Sequence, residues 1–347
     1  MPAITDLTEP TASATGPGAA DTGRRRIDLG RFRELSLIPA ILVLMLVGFI
    51  VSPAFLTADN LIGVLQQSTE LSLLVLATAL ILICGRMDLS LESTIGVAPV
   101  IAVWLVLPSS GARFTGLGLF PEWMAVPLCL IAGAAIGAFN GFLILKLRLN
   151  GFIVTLGALT MLRGLQVALS EGQSIVDLPS SFAYLGKAAW LGVPAAIWIC
   201  AVLFAVGGSA LAWLRHGRAL YAIGGNAEAA RTAGIRVDRT VWIVLITGSL
   251  LAAFAGILYS GHYGSISATQ GSGWIFQVFA ATVIGGVSLN GGKGSVFGAL
   301  TGVLTLQLVV NVMTLAGVPP LWNQFLNGAI IIVALVISRF ASGEKQE

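Results

Sequence analysis

Charged residues are scarce in this sequence. They make up 10% of its 347 residues, whereas 56% of the residues are hydrophobic. A soluble globular protein carries roughly 25% charged residues, so this chain has too few to cover a surface that faces water. The 42 glycines would let membrane helices approach one another closely. The composition therefore excludes an ordinary soluble domain and predicts an all-α, polytopic membrane protein.

Residues that carry catalysis or bind metals are equally scarce. The chain has two histidines, and its three cysteines fall singly inside apolar runs, which favours buried free thiols. Neither H-E-x-x-H nor G-x-S-x-G occurs. The run L-N-G-G-K-G-S at Leu289–Ser295 lacks the first glycine of a phosphate-binding loop and the Ser or Thr after its lysine. The sequence therefore predicts no enzyme and no cofactor, and a net charge of only +3 gives no reason to expect nucleic acid.

About ten segments are apolar enough to cross a bilayer, for which a helix needs about 20 residues. They are Leu35–Val51, Leu61–Cys84, Thr94–Leu107, Trp123–Leu145, Phe152–Leu169, Trp190–Leu214, Val241–Leu258, Ile275–Leu289, Val296–Leu315 and Leu321–Ile337. The third and the eighth are short, which indicates spans that are tilted, broken or only partly crossing. The predicted domains are a disordered tail (residues 1–34), one transmembrane domain (35–338) and a second short tail (339–347).

The basic residues predict the orientation, because lysine and arginine prefer cytoplasmic loops. With the N-terminus inside and ten spans, sixteen of the nineteen basic residues fall on the cytoplasmic side. Both termini are therefore predicted to be cytoplasmic, together with the longest polar interval, Arg215–Thr240. Within that interval Asn226 suits the N-cap of a short helix over Ala227–Ala233, and Gly234 suits the position just past its end.

Two ionisable residues are predicted to lie at membrane depth, Glu70 and Arg163. They could pair with each other or line a wet cavity; alternatively, Arg163 snorkels outward while Glu70 faces the bundle interior. The polar run Gly85–Ser93 is either a charged turn that caps the next helix or a broken helix beside a pathway. A short echo between Ile83–Ser90 and Val283–Asn290 is as compatible with duplicated halves as with chance similarity.

The polar interval also carries a recognisable motif. Its core E-A-A-R-T-A-G, Glu228–Gly234, resembles the E-A-A-x-x-x-G loop of ATP-binding cassette (ABC) importer permeases. The wider pattern is similar to the permeases for ribose, galactose, xylose and related simple sugars, and the similarity covers roughly residues 55–338. Further motifs in the same order support it: G-R-M-D-L-S from Gly85, N-G-F-L-I from Asn140, F-I-V-T-L-G-A-L-T from Phe152, R-G from Arg163, I-G-G-V-S-L-N-G-G-K-G-S-V-F-G from Ile284 and N-G from Asn327.

This resemblance implies a permease in a bacterial cytoplasmic (inner) membrane that moves a simple sugar or related small polar solute inward. It implies three protein partners besides the lipid bilayer: a separate ABC ATPase subunit, a second permease copy (identical or paralogous) and an extracytoplasmic solute-binding protein. The positions carried over to the ATPase-coupling loop are Gly217, Arg218, Gly224, Asn226, Glu228, Ala229, Ala230, Gly234 and Ile235. Ala229, Ala230 and Ala233 are expected to form a low-profile helix face that can dock closely on the ATPase. The residues expected to line a possible translocation pathway are Glu70, Asp88, Asn140, Thr155 and Arg163.

The chain departs from the family pattern at two places. The family usually reads G-G-I-D-L-S-V-G-S where this sequence adds Arg86 and Glu92, and it usually has proline where Asn150-Gly151 precedes Phe152. Both places lie near spans expected to line the pathway, so they bear on the solute more than on the fold. The alternative from another class is an ion-coupled secondary transporter that uses Glu70 and Arg163.

Overall fold

The computed structural model describes residues 37–109 and 115–322, together with residues 325, 328, 329 and 332. Over these residues the chain forms α-helices that we number α1 to α12: Ile38–Val51, Ala58–Ile83, Leu91–Val106, Ala125–Gly141, Gly151–Leu169, Ser180–Lys187, Ala195–Trp213, Arg215–Gly225, Ala227–Thr232, Val237–Tyr263, Trp274–Ile284 and Val296–Leu315. They are accompanied by 3-10 turns at Pro53–Leu56, Glu122–Met124 and Pro320–Trp322, a π-helical turn at Phe142–Lys146, and an antiparallel strand pair, Ala189–Trp190 with Val193–Pro194.

Six of the described helical stretches are long and apolar enough to cross a membrane: α2, α4 with its flanking turns, α5, α7, α10 and α12. Three more, α1, α3 and α11, are apolar but shorter. The helical membrane architecture is thus confirmed, and each of the first nine predicted spans overlaps a helix. The predicted tenth span and the two tails fall almost entirely outside the described residues, so the count of ten and the cytoplasmic termini stay predictions.

The ends of several spans differ from those predicted. The sixth span starts only at Ala195, because Leu191 and Gly192 take positive φ and turn the chain into the short strand pair. The eighth, α11, stops at Ile284 before Gly286, which has φ +81°. With 11 residues, α11 is about 17 Å long, well short of a hydrocarbon core of about 30 Å. The eighth span is thus a short helix, and its partial crossing of the membrane stays a prediction.

A glycine stripe joins α4 to α10, the helix with which α4 makes its most extensive contact. Gly133, Gly137 and Gly141 recur every four residues and so lie on one face of α4. A Cβ added to Gly133 or Gly137 would press on the backbone of Ser249 or Ile246, respectively. Small residues at this spacing let two membrane helices pack backbone to backbone, and the stripe explains why these two helices lie so close.

The bundle has two ends, which we name by their contents. The basic end contains the α2–α3 turn, α8, α9 and the α11–α12 turn. The backbones of α8 and of the two turns touch at several glycines. The opposite end contains the segments around Leu117, Ile175 and Ile266. Isolated β-bridges join Leu117 to Pro108 and Ile175 to Ile266. Helix α2 runs between the two ends through the centre of the bundle, with 83% of its most apolar stretch buried.

Candidate coupling surface and translocation residues

The polar interval of the basic end folds into two helices, α8 and α9. Asn226 separates them: its Oδ1 accepts a hydrogen bond of 2.9 Å from the amide of Ala229, as an N-cap side chain does. Gly234 follows α9 with φ +83°, and its amide donates to the Arg231 carbonyl at 3.0 Å. The predicted short helix, its cap and its terminating glycine are confirmed, with the helix ending at Thr232 rather than Ala233.

The exposed face of α9 differs in one residue from the predicted one. Glu228, Ala229 and Ala233 are exposed. Ala230, by contrast, is only 4% exposed and belongs to the hydrophobic core, against which Ile235 also packs. Because residues four apart share a helix face, Ala229 and Ala233 lie together while Ala230 points inward. The prediction that Ala230 forms part of a docking face is therefore wrong; Ala230 anchors α9 instead.

Helix α8 is held tightly against the membrane domain. A Cβ added to Gly217 would overlap the carbonyl oxygen of Ala210 and press on Leu211, so α8 contacts α7 with almost no gap. Arg218 is exposed to solvent on the other side of the helix. Leu220 is buried in the core, so α8 has one apolar face against the bundle and one basic face away from it.

The C-terminal end of α8 meets two turns at once. A Cβ added to Gly224 would overlap the carbonyl oxygen of Ile83 and the amide nitrogen of Gly292. The Gly292 amide in turn donates to the Ile83 carbonyl at 2.9 Å. Gly85 and Gly291 complete the contact, both with positive φ, +70° and +84°. We call Gly85, Gly224, Gly291 and Gly292 the glycine junction.

The glycine junction connects the coupling interval to both turns that share the sequence echo. One turn follows Ile83 and leads from α2 to α3; the other follows Ile284 and leads from α11 to α12. A second tie reinforces the contact, because the Tyr221 hydroxyl donates to the Gly294 carbonyl at 2.8 Å. Close-packed backbones transmit displacement instead of absorbing it, so a movement of α8 must shift both turns.

The α2–α3 turn also holds Asp88, which is buried and bonded on several sides. Its Oδ1 accepts from the Ser90 amide at 2.9 Å and from the Ser90 hydroxyl at 2.6 Å. Asn140 of α4 donates to the Ser90 hydroxyl at 2.8 Å and to Asp88 Oδ2 at 3.5 Å. Burial raises the pKa of the Asp88 carboxyl, while the hydrogen bonds from Ser90 and Asn140 lower it. The side chain of Ser90 makes no cap bond, so Asp88 and Ser90 form a buried, bonded turn instead of a simple helix cap, while Gly85 and Arg86 at its start are exposed.

An open cavity of about 270 Å³ lies beside this turn at the basic end. Its walls include Gly85 and Arg86 from the turn and Asn150, Gly151 and Phe152 from the start of α5. Two of the departures from the family pattern, Arg86 and Asn150-Gly151, therefore lie on one cavity. Asn150 itself caps α5, accepting from the Ile153 amide at 3.2 Å.

Arg163 pairs with Glu92, which is also a departure from the family pattern. Its Nη2 lies 3.0 Å from Glu92 Oε1, and its Nη1 donates to the Gln270 carbonyl at 2.6 Å and to Gln166 Oε1 at 3.1 Å. The side chains are 18% and 7% exposed, respectively. The predicted alternative in which Arg163 pairs with Glu70 is wrong: α5 places the guanidinium beside the start of α3, where Glu92 neutralises it.

Glu92 simultaneously caps the partial helix α11. Its Oε1 accepts from the Gly273 amide at 3.1 Å and its Oε2 from the Ile275 amide at 3.0 Å. A carboxylate satisfies the free N–H groups at a helix N-terminus and is favoured there by the helix dipole. The same arrangement draws residues 264–273 into the bundle, where Gln270 Nε2 donates to the Ile95 carbonyl at 2.8 Å. Helix α11 therefore begins against the first turn of α3.

Glu70 has a different partner. It is 2% exposed, and its Oε1 lies 3.0 Å from Nδ1 of His262, near the end of α10. The histidine side chain is 24% exposed. A carboxylate buried at membrane depth needs such a partner, because an uncompensated charge there is costly.

The five predicted pathway residues do not form one group. Asp88 and Asn140 are brought together, whereas Arg163 pairs with Glu92 and Glu70 contacts His262. Thr155 is buried, and its hydroxyl donates to the Gly151 carbonyl of its own helix at 2.9 Å. No group of three potential metal ligands occurs among the residues that the structure describes.

Sequence reasoning missed His262, Gln166 and Gln270 as partners of these charges. Gln166 carried a usable signal, because it follows Arg163 by three residues and so lies on the same helix face. His262 and Gln270 carried none: each is distant in sequence from its partner, and the inward path of residues 264–273 is set by tertiary contacts.

Comparison with known proteins places the chain among transport proteins. Residues 60–335 match the family described as the branched-chain amino acid transport system, permease component. The ribose import permease protein RbsC of Escherichia coli K12 is 32% identical over 320 residues, 91% of this chain and 97% of the relative. The autoinducer 2 import system permease protein LsrC of Klebsiella pneumoniae is 35% identical over 305 residues, 88% of this chain and 86% of the relative.

The L-arabinose transport system permease protein AraH of Escherichia coli K12 is 31% identical over 338 residues, 97% of this chain and 99% of the relative. These relatives extend over nearly the whole chain, and the family match includes the polar interval Arg215–Thr240, the glycine junction, the Arg163–Glu92 pair and the Glu70–His262 contact. The chain is therefore a multi-pass inner-membrane protein that belongs to the permease subunits of ABC importers and is not itself an enzyme.

Proposed function

We propose that this chain is the permease of an ATP-driven importer that moves a simple sugar or a related small polar solute into the cytoplasm. Relatives named for ribose and L-arabinose import support this solute class. We further propose ten spans with both termini cytoplasmic, so that the basic end faces the cytoplasm; the sixteen of nineteen basic residues assigned to that side support this orientation.

The proposed assembly contains two permease copies, an ABC ATPase that docks on α9, and a solute-binding protein at the opposite end. The exposed face of α9 suits such docking, because Ala229 and Ala233 keep its profile low while Glu228 and Arg231 offer polar contacts. The buried Ala230 holds α9 to the hydrophobic core, so α9 and α8 would move together with the membrane domain.

The glycine junction is the observation that carries the proposal. In this chain a push on α9 would reach α8, and α8 touches the α2–α3 and α11–α12 turns without intervening side chains. The α2–α3 turn contains Asp88, just before α3, and the α11–α12 turn follows the end of the partial helix α11. We propose that ATP-driven closure of the partner moves these two elements together and opens the pathway.

We propose that the pathway passes close to Asp88, Asn140, Thr155 and Arg163, with the cavity beside Arg86 as its cytoplasmic mouth. The alternative, an ion-coupled transporter, needs titratable groups that exchange ions at membrane depth. Arg163 is instead locked by Glu92 and two further acceptors. These bonds favour a fixed structural role for Arg163, which supports the permease over the ion-coupled transporter.

The test uses two substitutions on the exposed side of α9, Glu228→Lys and Gly234→Asp. The Glu228 side chain is exposed, a Cβ added at Gly234 meets nothing within 4 Å, and Asp is among the residues that tolerate a positive φ. We therefore expect folded protein that no longer supports ATP-dependent uptake in vesicles and no longer retains the ATPase in pull-down experiments. Thr232→Ser, on the same exposed helix, is the matched control and should leave uptake unchanged.

Full uptake by either variant would refute the coupling role of this loop. The secondary transporter makes the opposite prediction: the purified chain alone would accumulate solute in vesicles that carry a proton or sodium gradient and no ATP.

A further inference from the structure

Three aromatic rings, a histidine and a buried carboxylate meet where α10 ends and α11 begins. The ring centroids of Tyr259 and Tyr263 are 4.5 Å apart, and those of Tyr259 and Trp274 are 5.2 Å apart with the rings edge to face. The His262 ring lies 4.7 Å from that of Tyr263, and its Nδ1 lies 3.0 Å from Oε1 of Glu70. We call these five residues the aromatic cluster; α2, α10 and α11 all contribute to it.

The aromatic cluster is open on one side and closed at its base. Tyr263 is 57% exposed, and the other rings are partly exposed, whereas Glu70 is 2% exposed. Aromatic residues at span ends commonly form an interfacial belt, but a belt residue needs no buried acid beneath it. An ionisable group inside the membrane region is a functional candidate by default, and here it contacts His262, whose ring lies against that of Tyr263.

This combination matches one ligand chemistry. Binding sites for small molecules join aromatic surface to a few fixed polar groups. The C–H face of a sugar ring can lie against a tyrosine or tryptophan face, while its hydroxyls donate to a carboxylate and accept from an imidazole or phenol. Whichever partner holds the proton, the Glu70–His262 pair itself carries no net positive charge.

We propose that the aromatic cluster is a solute-contact site of this permease and that it takes a neutral polyhydroxylated compound. The proposal rests on the function proposed above and adds the residues that contact the solute. The aromatic cluster lies toward the opposite end, where a binding protein would release its cargo. Trp274 is the first residue of α11, so Glu92, which caps that helix, also fixes one wall of the site.

The test is saturation-transfer NMR on the full chain in lipid nanodiscs, which detects weak binding without the ATPase. The probes are D-ribose, L-arabinose and, as the anionic counterpart, D-ribose 5-phosphate. The variants are Tyr263→Ala, Glu70→Gln and the ring-preserving Tyr263→Phe. Tyr184→Ala is the matched control, because Tyr184 is an equally exposed tyrosine, 60%, on α6.

For the native chain we expect transfer to the C–H protons of at least one neutral probe and at least fivefold less to the phosphate ester. Tyr263→Ala and Glu70→Gln should each lower the signal at least fivefold, whereas Tyr263→Phe and Tyr184→Ala should retain more than half of it. No signal with either neutral probe, equal binding of the phosphate ester, or unchanged signals in both Tyr263→Ala and Glu70→Gln would overturn the proposal.

The result is distinguishable from a failure of the proposed function. If ATP-dependent uptake depends on Glu228 while the aromatic-cluster variants bind normally, the importer stands and its solute contacts lie elsewhere. If the aromatic cluster binds sugar but uptake proceeds without ATP, the site stands and the importer does not.

Discussion

Replacing Gly224 by alanine tests how force reaches the membrane domain. The new methyl group would overlap the Ile83 carbonyl and the Gly292 amide, both of which are backbone atoms that cannot rotate away. Overpacking of this kind costs typically about 1–3 kcal/mol, and here α8 can relieve it only by moving away from both turns. The neighbouring Gly225 is the matched control, because a Cβ there meets nothing within 4 Å. Gly225→Ala should be neutral or stabilising by up to about 1 kcal/mol.

Two measurements separate coupling from folding. Thermal unfolding of the purified chain reports the stability loss, and ATP hydrolysis measured alongside solute uptake in vesicles reports the coupling. We expect Gly224→Ala to remain assembled with the ATPase and to hydrolyse ATP, but with at least tenfold fewer solutes moved per ATP. If Gly224→Ala and Gly225→Ala transport equally well per ATP, the glycine junction does not carry the movement and the reasoning fails.

Three further substitutions have outcomes set by the described contacts. Glu92→Ala leaves Arg163 and the α11 amides without their acceptor, which should lower the free energy of unfolding. The loss should lie at the lower end of about 3–5 kcal/mol, because the Arg163 side chain is 18% exposed. Asp238→Ala, which breaks the exposed pair with Arg231 at 3.1 Å, is the control and should change the free energy by less than about 1 kcal/mol in the same thermal unfolding series. Gly137→Val should abolish folded protein in size-exclusion chromatography, since the added atoms meet Leu245 and Ile246 backbone, whereas Gly63→Val, with nothing within 4 Å of its Cβ, should not. Asn226→Ala should destabilise α9 by about 1 kcal/mol, seen as faster hydrogen exchange at Ala229 and Ala230 with unchanged exchange in α10.

The sequence predicts local structure well wherever one residue determines it. Asn226 and Gly234 bound α9 through a cap bond and a positive φ, which are properties of those residues themselves. Hydropathy likewise locates the long spans, because about 20 apolar residues leave few alternatives. Span ends were less predictable: residues 189–194 are apolar enough to continue a span, but Gly192 at φ +79° turns them into a strand pair.

The candidate site was less predictable because its contacts are long-range. Glu70 and Arg163 stand out in sequence as charges within apolar runs, but their partners are 192 and 71 residues away, respectively. Nothing in the periodicity indicates that residues 264–273 turn inward or that Glu92 caps a helix nearly two hundred residues later. The glycine junction is similar: its glycines are visible, but their meeting depends on α8 lying across two turns.

The same contacts explain how a chain with buried charges can serve as a passive pathway. Glu92 accepts hydrogen bonds from Arg163 and from two amides at the start of α11, so its charge holds α3, α5 and α11 together and is already neutralised by Arg163. Asp88 is similarly occupied by Ser90 and Asn140. Groups bonded in this way resist independent movement, so the elements that carry them shift as units. A bundle of such units needs an external force at a narrow contact, and we propose that this force enters through α8 at the glycine junction, which joins the α2–α3 turn to the end of α11.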